Sequence, residues 1–235
     1  MPAAQAPLIK SFCGGSRGAV FSKRAPLVAE GKEMIEIEEI FKRNVPGVRD
    51  ILLKKTVAVA GCGGLGSNAA VALVRAGIGK LIIADNDVVD LSNLNRQYFF
   101  IDDVGKKKTD AIAVHLKAIN PGLKLVTHFI ELTPGNVPEL FKEADLLIEA
   151  FDRAERKAWL IETWCMHFPG RPVICASGLA GYGNTSALRV KRSGNIVICG
   201  DEESDMSMGL TSSRVAIAAN MQVNAAIEIL VNEQK

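Results

Sequence analysis

Thr56-Val57-Ala58-Val59-Ala60-Gly61-Cys62-Gly63-Gly64-Leu65-Gly66 is the stretch on which the fold turns. An uninterrupted apolar run enters a G-x-G-x-x-G pattern, and residues 65–76 continue as an Ala-rich segment of helical period closed by Gly77. A strand covered on both faces reads as a continuous apolar run, whereas a half-buried helix repeats its apolar positions about every 3.6 residues. Residues 80–84 (KLIIA) form a second such strand, so 56–84 compose one strand–helix–strand unit of a parallel sheet.

Outward toward the C-terminus the alternation repeats. Helices are predicted at 107–119, stopped by Asn120-Pro121, at 137–143 and at 154–168; strands at 124–130, 145–149 and 172–176. After Gly183 come shorter strands at 186–191 and 195–199, a mobile acidic loop at 201–209, and a last helix over 213–231. The economical architecture is a Rossmann-like three-layer α/β fold with a mostly parallel sheet, followed by C-terminal strands and a helix.

Outward toward the N-terminus, Met34, Ile37, Ile40 and Phe41 recur at helical spacing and predict a short helix ending before Pro46-Gly47. Residues 1–32, rich in Pro and Gly, read as a flexible leader, leaving 33–235 as the folded domain. The 235 residues carry 28 Lys+Arg against 26 Asp+Glu, 48% apolar and 23% charged residues, which excludes wholesale disorder and any basic excess suited to nucleic acid. Charges such as Arg75, Lys80, Asp85 and Asp87 interrupt the apolar candidates for a membrane span, so none is expected. Cys13, Cys62, Cys165, Cys175 and Cys199 are scattered without a C-x-x-C pair, pointing to a reducing cytoplasm and no structural zinc. The first residues, with Lys10 and no compact apolar core, do not read as a secretory signal.

The chemistry starts at Gly61, Gly63, Gly64 and Gly66. Small residues let a backbone approach a phosphate, and the following helix N-terminus offers unpaired N–H groups; the competing reading is a plain tight turn. Asp85, about 20 residues past the glycines, is placed to accept ribose hydroxyls, which also suits NAD and a dehydrogenase. Asp87, the run Ser92-Asn93-Leu94-Asn95-Arg96-Gln97, Lys108 and Asp152 argue instead for ATP, whose phosphates need cations and whose magnesium needs a carboxylate. Taken singly each has a bland alternative. Arg96 could pair with Asp102 or Asp103, Lys108 could lie on a solvated face in the run 106–108, Asp152 could cap the next helix, and Asp87 could fix its loop or assist the metal. His115, His128 and His167 lack acid–base companions at useful spacing, and Trp159 and Trp164 read as packing.

Gly61–Gly66, Ala76-Gly77-Ile78-Gly79, Asp85-Asn86-Asp87, Ser92–Gln97, Gly105 to Lys108 and Asn120-Pro121 together resemble the signature of the ThiF/MoeB/HesA adenylyltransferases, relatives of ubiquitin-activating enzymes. The likeness runs from about residue 38 to the C-terminus, and the short form with residues 176–183 (ASGLAGYG) resembles ThiF-type members best. It implies a homodimer that uses ATP and Mg²⁺ to adenylate the C-terminal Gly-Gly carboxylate of a ubiquitin-like sulfur carrier, a ThiS-like protein of thiamine biosynthesis. It assigns Asp85 to ribose, Asn93, Arg96 and Lys108 to the phosphates, and Asp152 to magnesium. It assigns Arg43 to the partner subunit's site. This chain departs from the pattern in three places. The zinc-holding C-x-x-C pairs are missing, Arg153 stands where Asn is usual, and 201–211 lacks the cysteine of members that pass sulfur, Cys199 being the nearest thiol. Adenylation without a covalent acyl-disulfide step follows. Its nucleophile, a carboxylate already ionised at neutral pH, needs no general base, so catalysis reduces to positioning and charge neutralisation. The rivals are an adenylating enzyme like tRNA threonylcarbamoyladenosine dehydratase, an NAD-dependent oxidoreductase, and a non-catalytic nucleotide-binding module.

Overall fold

A computed structural model describes residues 37–232. The leader read at 1–32 and the first residues of the N-terminal helix, Met34 included, lie outside the described residues. Within them, Ile37–Phe41 is a 3-10 turn rather than an α-helix. A helix that the reading missed, α1 (Val48–Leu52), restarts after Gly47, whose φ of 81° turns the chain. The remaining order is β1 (Thr56–Ala60), α2 (Gly64–Ala76), β2 (Lys80–Asp85), α3 (Lys108–Ile119), β3 (Lys124–Phe129), α4 (Val137–Leu140), β4 (Leu146–Glu149), α5 (Ala154–His167), β5 (Val173–Ala176), β6 (Arg189–Ser193), β7 (Ile196–Gly200) and α6 (Ser212–Asn232).

The seven strands lie in the order β3-β2-β1-β4-β5-β7-β6, all neighbours parallel except β6 against β7. Successive side chains of a strand point to opposite faces. Val57 and Val59 of β1 accordingly enter one core with Leu81, Ile83 and Ile148, while Ala58 and Ala60 enter the other with Ile82, Ala84 and Leu147. Burial on both faces is why these strands are apolar throughout. The edge strand β6 differs: all five residues (RVKRS) are exposed, and three cations discourage edge-to-edge pairing. It begins three residues later than predicted because Asn184, at φ 45°, opens a 3-10 turn over Thr185–Ala187.

The last helix, α6, is long and apolar enough to cross a membrane by length and composition, which corrects the expectation that charges interrupt every candidate. It is a core helix here: it packs on α2 and the sheet, with Val215, Ala218, Ala219, Val223 and Leu230 buried. Gln222 in its middle donates to the carbonyls of Glu149 (2.9 Å) and Ile174 (3.1 Å), tying α6 to β4 and β5.

Candidate active site

From β1 the chain winds through β2 to β3, then returns to β4 on β1's other side, so the strand order reverses between β1 and β4. Loops leaving two strands at such a point diverge and leave a crevice beyond the carboxyl ends. A cavity of about 780 Å³ occupies it, and Gly61, Gly63, Gly64, Asp85, Asp87, Asn93, Arg96, Lys108 and Asp152 all line its wall. Residues far apart in the chain thus reach one cleft because β1, β2 and β4 end side by side.

The glycines do separate jobs. Gly61 adopts φ 97°, and a Cβ at Gly66 would come within 1.9 Å of the Gly61 carbonyl oxygen, so only glycine lets α2 start this close to the strand end. The backbone at Gly63 and Gly64 is left half-exposed to the cleft. Asp85 Oδ2 accepts the Cys62 N–H at 2.6 Å and its Oδ1 accepts the Asp87 N–H at 2.7 Å, so one carboxylate braces both the glycine loop and the loop after β2. Burial raises the Asp85 pKa, opposed by those two N–H groups and by Lys108. The buried Cys62 thiol is pushed well above its ordinary value, first by burial and then by Asp85, and stays protonated.

The segment after β2 is stitched to α2. Tyr98 N donates to Ser67 Oγ (2.9 Å), and Asn68 Nδ2 donates to the carbonyls of Gly64 (2.7 Å) and Arg96 (2.9 Å). Asp90 caps a 3-10 turn over Leu91–Asn93 by accepting from Ser92 N, while its own N–H donates to Asn93 Oδ1 at 3.1 Å, leaving the Asn93 amide as the free donor. Arg96 does not pair with Asp102 or Asp103; its Nη1 donates to Asn95 Oδ1 (2.8 Å) and Ser92 O (3.2 Å). Nor is Lys108 on a solvated face. Its side chain is buried, its N–H donates to Asp87 O (3.0 Å) and its Nζ to Asp87 Oδ2 (2.7 Å).

Asp103 is taken instead by His115, whose Nε2 lies 2.6 Å from Oδ2, which corrects the reading that no histidine has an acid–base companion. Burial pushes the Asp103 carboxyl up, but Phe100 N–H, His115 and Lys106 outweigh it and hold it below its ordinary value. Arg43 is exposed and does not line the cleft of its own chain.

On the opposite wall Asp152 is exposed at the cleft, and no side chain caps α5, so the capping alternative for Asp152 is not observed. Behind it stand two residues that the sequence reading passed over. Glu149, the last residue of β4, is fully buried and accepts Phe151 N–H at 2.6 Å. Lys157, which also lines the cleft, donates to both of its oxygens at 2.9 and 3.1 Å. Burial raises the Glu149 pKa against the pull of Lys157. The available signal was a lone acid closing an apolar strand, with a lysine at the end of the next helix's first turn.

Beyond β5, residues 177–180 form the cleft's third side, facing Ser204 and Asp205. Ala180 N–H donates to Ser204 Oγ at 3.0 Å. The loop at 201–209 is anchored where it begins: buried Asp201 pairs with buried Arg214 of α6 and accepts the N–H groups of Glu203 (2.9 Å) and Ser204 (2.8 Å). Cys175 and Cys199 lie on adjacent strands but face opposite cores, so their thiols diverge. Burial raises them to about 12 and about 11 respectively, which leaves neither a thiolate at neutral pH.

Magnesium takes one or two carboxylates plus substrate phosphates more often than a full protein cage. Asp152 suits that arrangement, and among the described residues no cluster of three or more His, Cys, Asp or Glu could hold a metal alone.

Comparison with known proteins gives the following. A model described as the ThiF family matches residues 36–235. The chain is 33% identical over 172 residues to the adenylyltransferase and sulfurtransferase uba4 of Aspergillus terreus, covering 71% of this chain and 34% of that protein. It is 33% identical over 129 residues to the adenylyltransferase and sulfurtransferase MOCS3 of Aedes aegypti, covering 54% and 29% respectively. The chain therefore spans about a third or less of the length of these relatives. The crystal structure of E. coli tRNA N6-threonylcarbamoyladenosine dehydratase, TcdA, in complex with ATP superposes with a TM-score of 0.75 at 23% identity over 84% of this chain and 94% of that one. At that identity the likeness speaks for the fold alone.

Proposed function

The chain belongs to the ThiF family, and from that premise we propose that it adenylates the C-terminal carboxylate of a ubiquitin-like sulfur carrier with ATP, releasing pyrophosphate. The observation that carries this reading is the convergence of the glycine loop, Asp85, Asn93, Arg96, Lys108 and Asp152 on one cleft.

In this reading the α-phosphate lies on the N–H groups opening α2, where the helix dipole favours an anion. Asp85 accepts the ribose hydroxyls; with each oxygen already taking one N–H, a carboxylate still has lone pairs to spare. An incoming carboxylate oxygen attacks the α-phosphorus, and the bond to the bridging oxygen of pyrophosphate breaks. Asn93, Arg96 and Lys108 neutralise the charge gathering on the phosphates, and no proton need be removed. A bound magnesium would supply positive charge to offset that of the phosphates, and Asp152, exposed at the cleft, would hold it.

In this reading residues 177–183, which carry three glycines at positive φ and line the third side of the cleft over 177–180, border the channel for a Gly-Gly tail. We assign the carrier to the ThiS-like class and the assembly to a homodimer in which Arg43 crosses to the partner's cleft.

ATP–pyrophosphate exchange with and without a purified ThiS-like carrier ending in Gly-Gly tests the reading. Exchange that requires the carrier, and disappears when its last glycine is removed, supports it. Exchange indifferent to the carrier would refute the substrate, and nicotinamide binding would replace adenylation with hydride transfer.

A further inference from the structure

We infer that Glu149 and Lys157 are a positioning pair for the reaction: together they clamp the two loops leaving β4 and β5, and so set Asp152 against the channel at 177–183. This rests on the adenylation reading for its purpose, and on the following geometry for its existence.

An ionised carboxylate in a fully buried position is costly, and a well-packed apolar residue commonly serves stability as well or better. Glu149 has no exposed surface, yet its carboxylate bonds a backbone N–H of the loop that leads to Asp152 and a lysine that lines the cleft. It takes the N–H of Phe151 at 2.6 Å, the residue immediately before Asp152. The backbone N–H of Ala176, the last residue of β5 and immediately before Ser177 where the channel begins, also favours its ionised form. Lys157 closes both oxygens from α5 at 2.9 and 3.1 Å and keeps a fifth of its side chain (20%) exposed toward the cleft. From below, Gln222 ties the carbonyls of Glu149 and Ile174 at 2.9 and 3.1 Å, so the same two strands are also held from α6. One carboxylate therefore sets the spacing between the metal-side acid and the tail-side loop, a spacing on which in-line attack depends.

The test is the double variant Glu149→Gln/Lys157→Met, which removes both charges together and avoids stranding either one. Gln keeps the shape but turns one acceptor oxygen into an NH2 donor, so the contacts made to that oxygen are lost. The expected result is a folded chain with cooperative unfolding and near-unchanged KM for ATP. Its kcat for carrier-dependent exchange should be about 10- to 100-fold lower, while Lys157→Arg retains most of the activity. A folded double variant with wild-type kcat overturns the inference.

Amide hydrogen exchange on the unaltered chain without nucleotide needs neither variant nor activity. The N–H group of Phe151, beyond the end of β4, should be as protected as those within β4, and loop-like exchange there would overturn the clamp. A wild-type chain that neither binds ATP nor exchanges pyrophosphate sinks the adenylation reading, and the amide exchange then still judges the clamp by itself.

Discussion

Two lysines face the cleft from opposite walls, each held by one carboxylate, and the two pairs are built inversely. In the first, the Lys108 side chain is 6% exposed and Asp87 63%; in the second, Lys157 is 20% exposed and Glu149 0%. The difference decides what each cation can do. Water can replace Lys108 around Asp87, so an incoming triphosphate can take over the lysine at little cost. Nothing can replace Lys157 around Glu149 without leaving a bare charge in the interior, a penalty of roughly several kcal/mol. An exposed acid makes a pair that yields to ligand; a buried acid makes one that holds architecture.

The largest effect expected from this contrast is at the yielding pair. Lys108→Ala should lower kcat/KM for exchange by about 10²–10³, in the range of a lost preorganised donor, with Arg96→Ala in the same class. Wild-type kinetics for Lys108→Ala would mean that the ammonium never leaves Asp87.

Asp87→Asn sharpens the comparison next. It preserves the side chain's shape while removing the anion that competes for Lys108, so KM for ATP should fall by about threefold and kcat by no more than about tenfold. A raised magnesium requirement instead would move Asp87 to the metal.

Buried carboxylates also separate by the sign of their pH dependence. Asp103 and Asp201 sit below their ordinary value of 3.8, burial being outweighed by hydrogen bonds and cationic partners. Their contribution to stability is present above that value and lost as pH falls through the lower folded one. For Glu149, which burial raises above 4.5, the sign reverses: its contribution is full below 4.5 and declines as pH rises through the folded value. Thermal unfolding of Asp103→Asn against wild type should thus show a gap near neutrality that closes below 3.8. A gap that persists in acid would show that Asp103 acts through packing and not through charge.

The smallest effect belongs to a lysine outside both pairs. Lys107 Nζ lies 4.5 Å from the centre of the Phe129 ring, and Lys107→Ala should cost about 0.5–1 kcal/mol in chemical denaturation. A loss of exchange activity beyond that fraction would place a third lysine in the cleft.

The two pairs also mark how far the primary structure could be read. Lys108 and Asp87 were visible because a cation and an acid stood in a motif whose other members pointed to phosphate, although their mutual contact was not foreseen. Glu149 and Lys157 were hidden, one ending an apolar strand and the other resembling a solvated helix residue. His115 was hidden in the same way: its partner Asp103 is 12 residues away, across a turn and the start of α3, a spacing that no helical or strand period marks. α1 was missed because five residues are too few to display a period, and β6 was set early because an exposed edge strand has no buried face to declare its register.

What the chain's own order of residues determined is the run of elements and their class. Period-two burial on both faces writes β1, β2, β4 and β5 as apolar runs, and the glycines at 61–66 mark where backbone must approach backbone or phosphate. What only the tertiary structure decided is which charges meet, and with how much water around them. Lys108–Asp87 and Lys157–Glu149 are the same pair of chemical groups in one dimension. They differ because strand order buries the acid of one and exposes the acid of the other, and solvation is a property of position in space that no spacing along the chain contains.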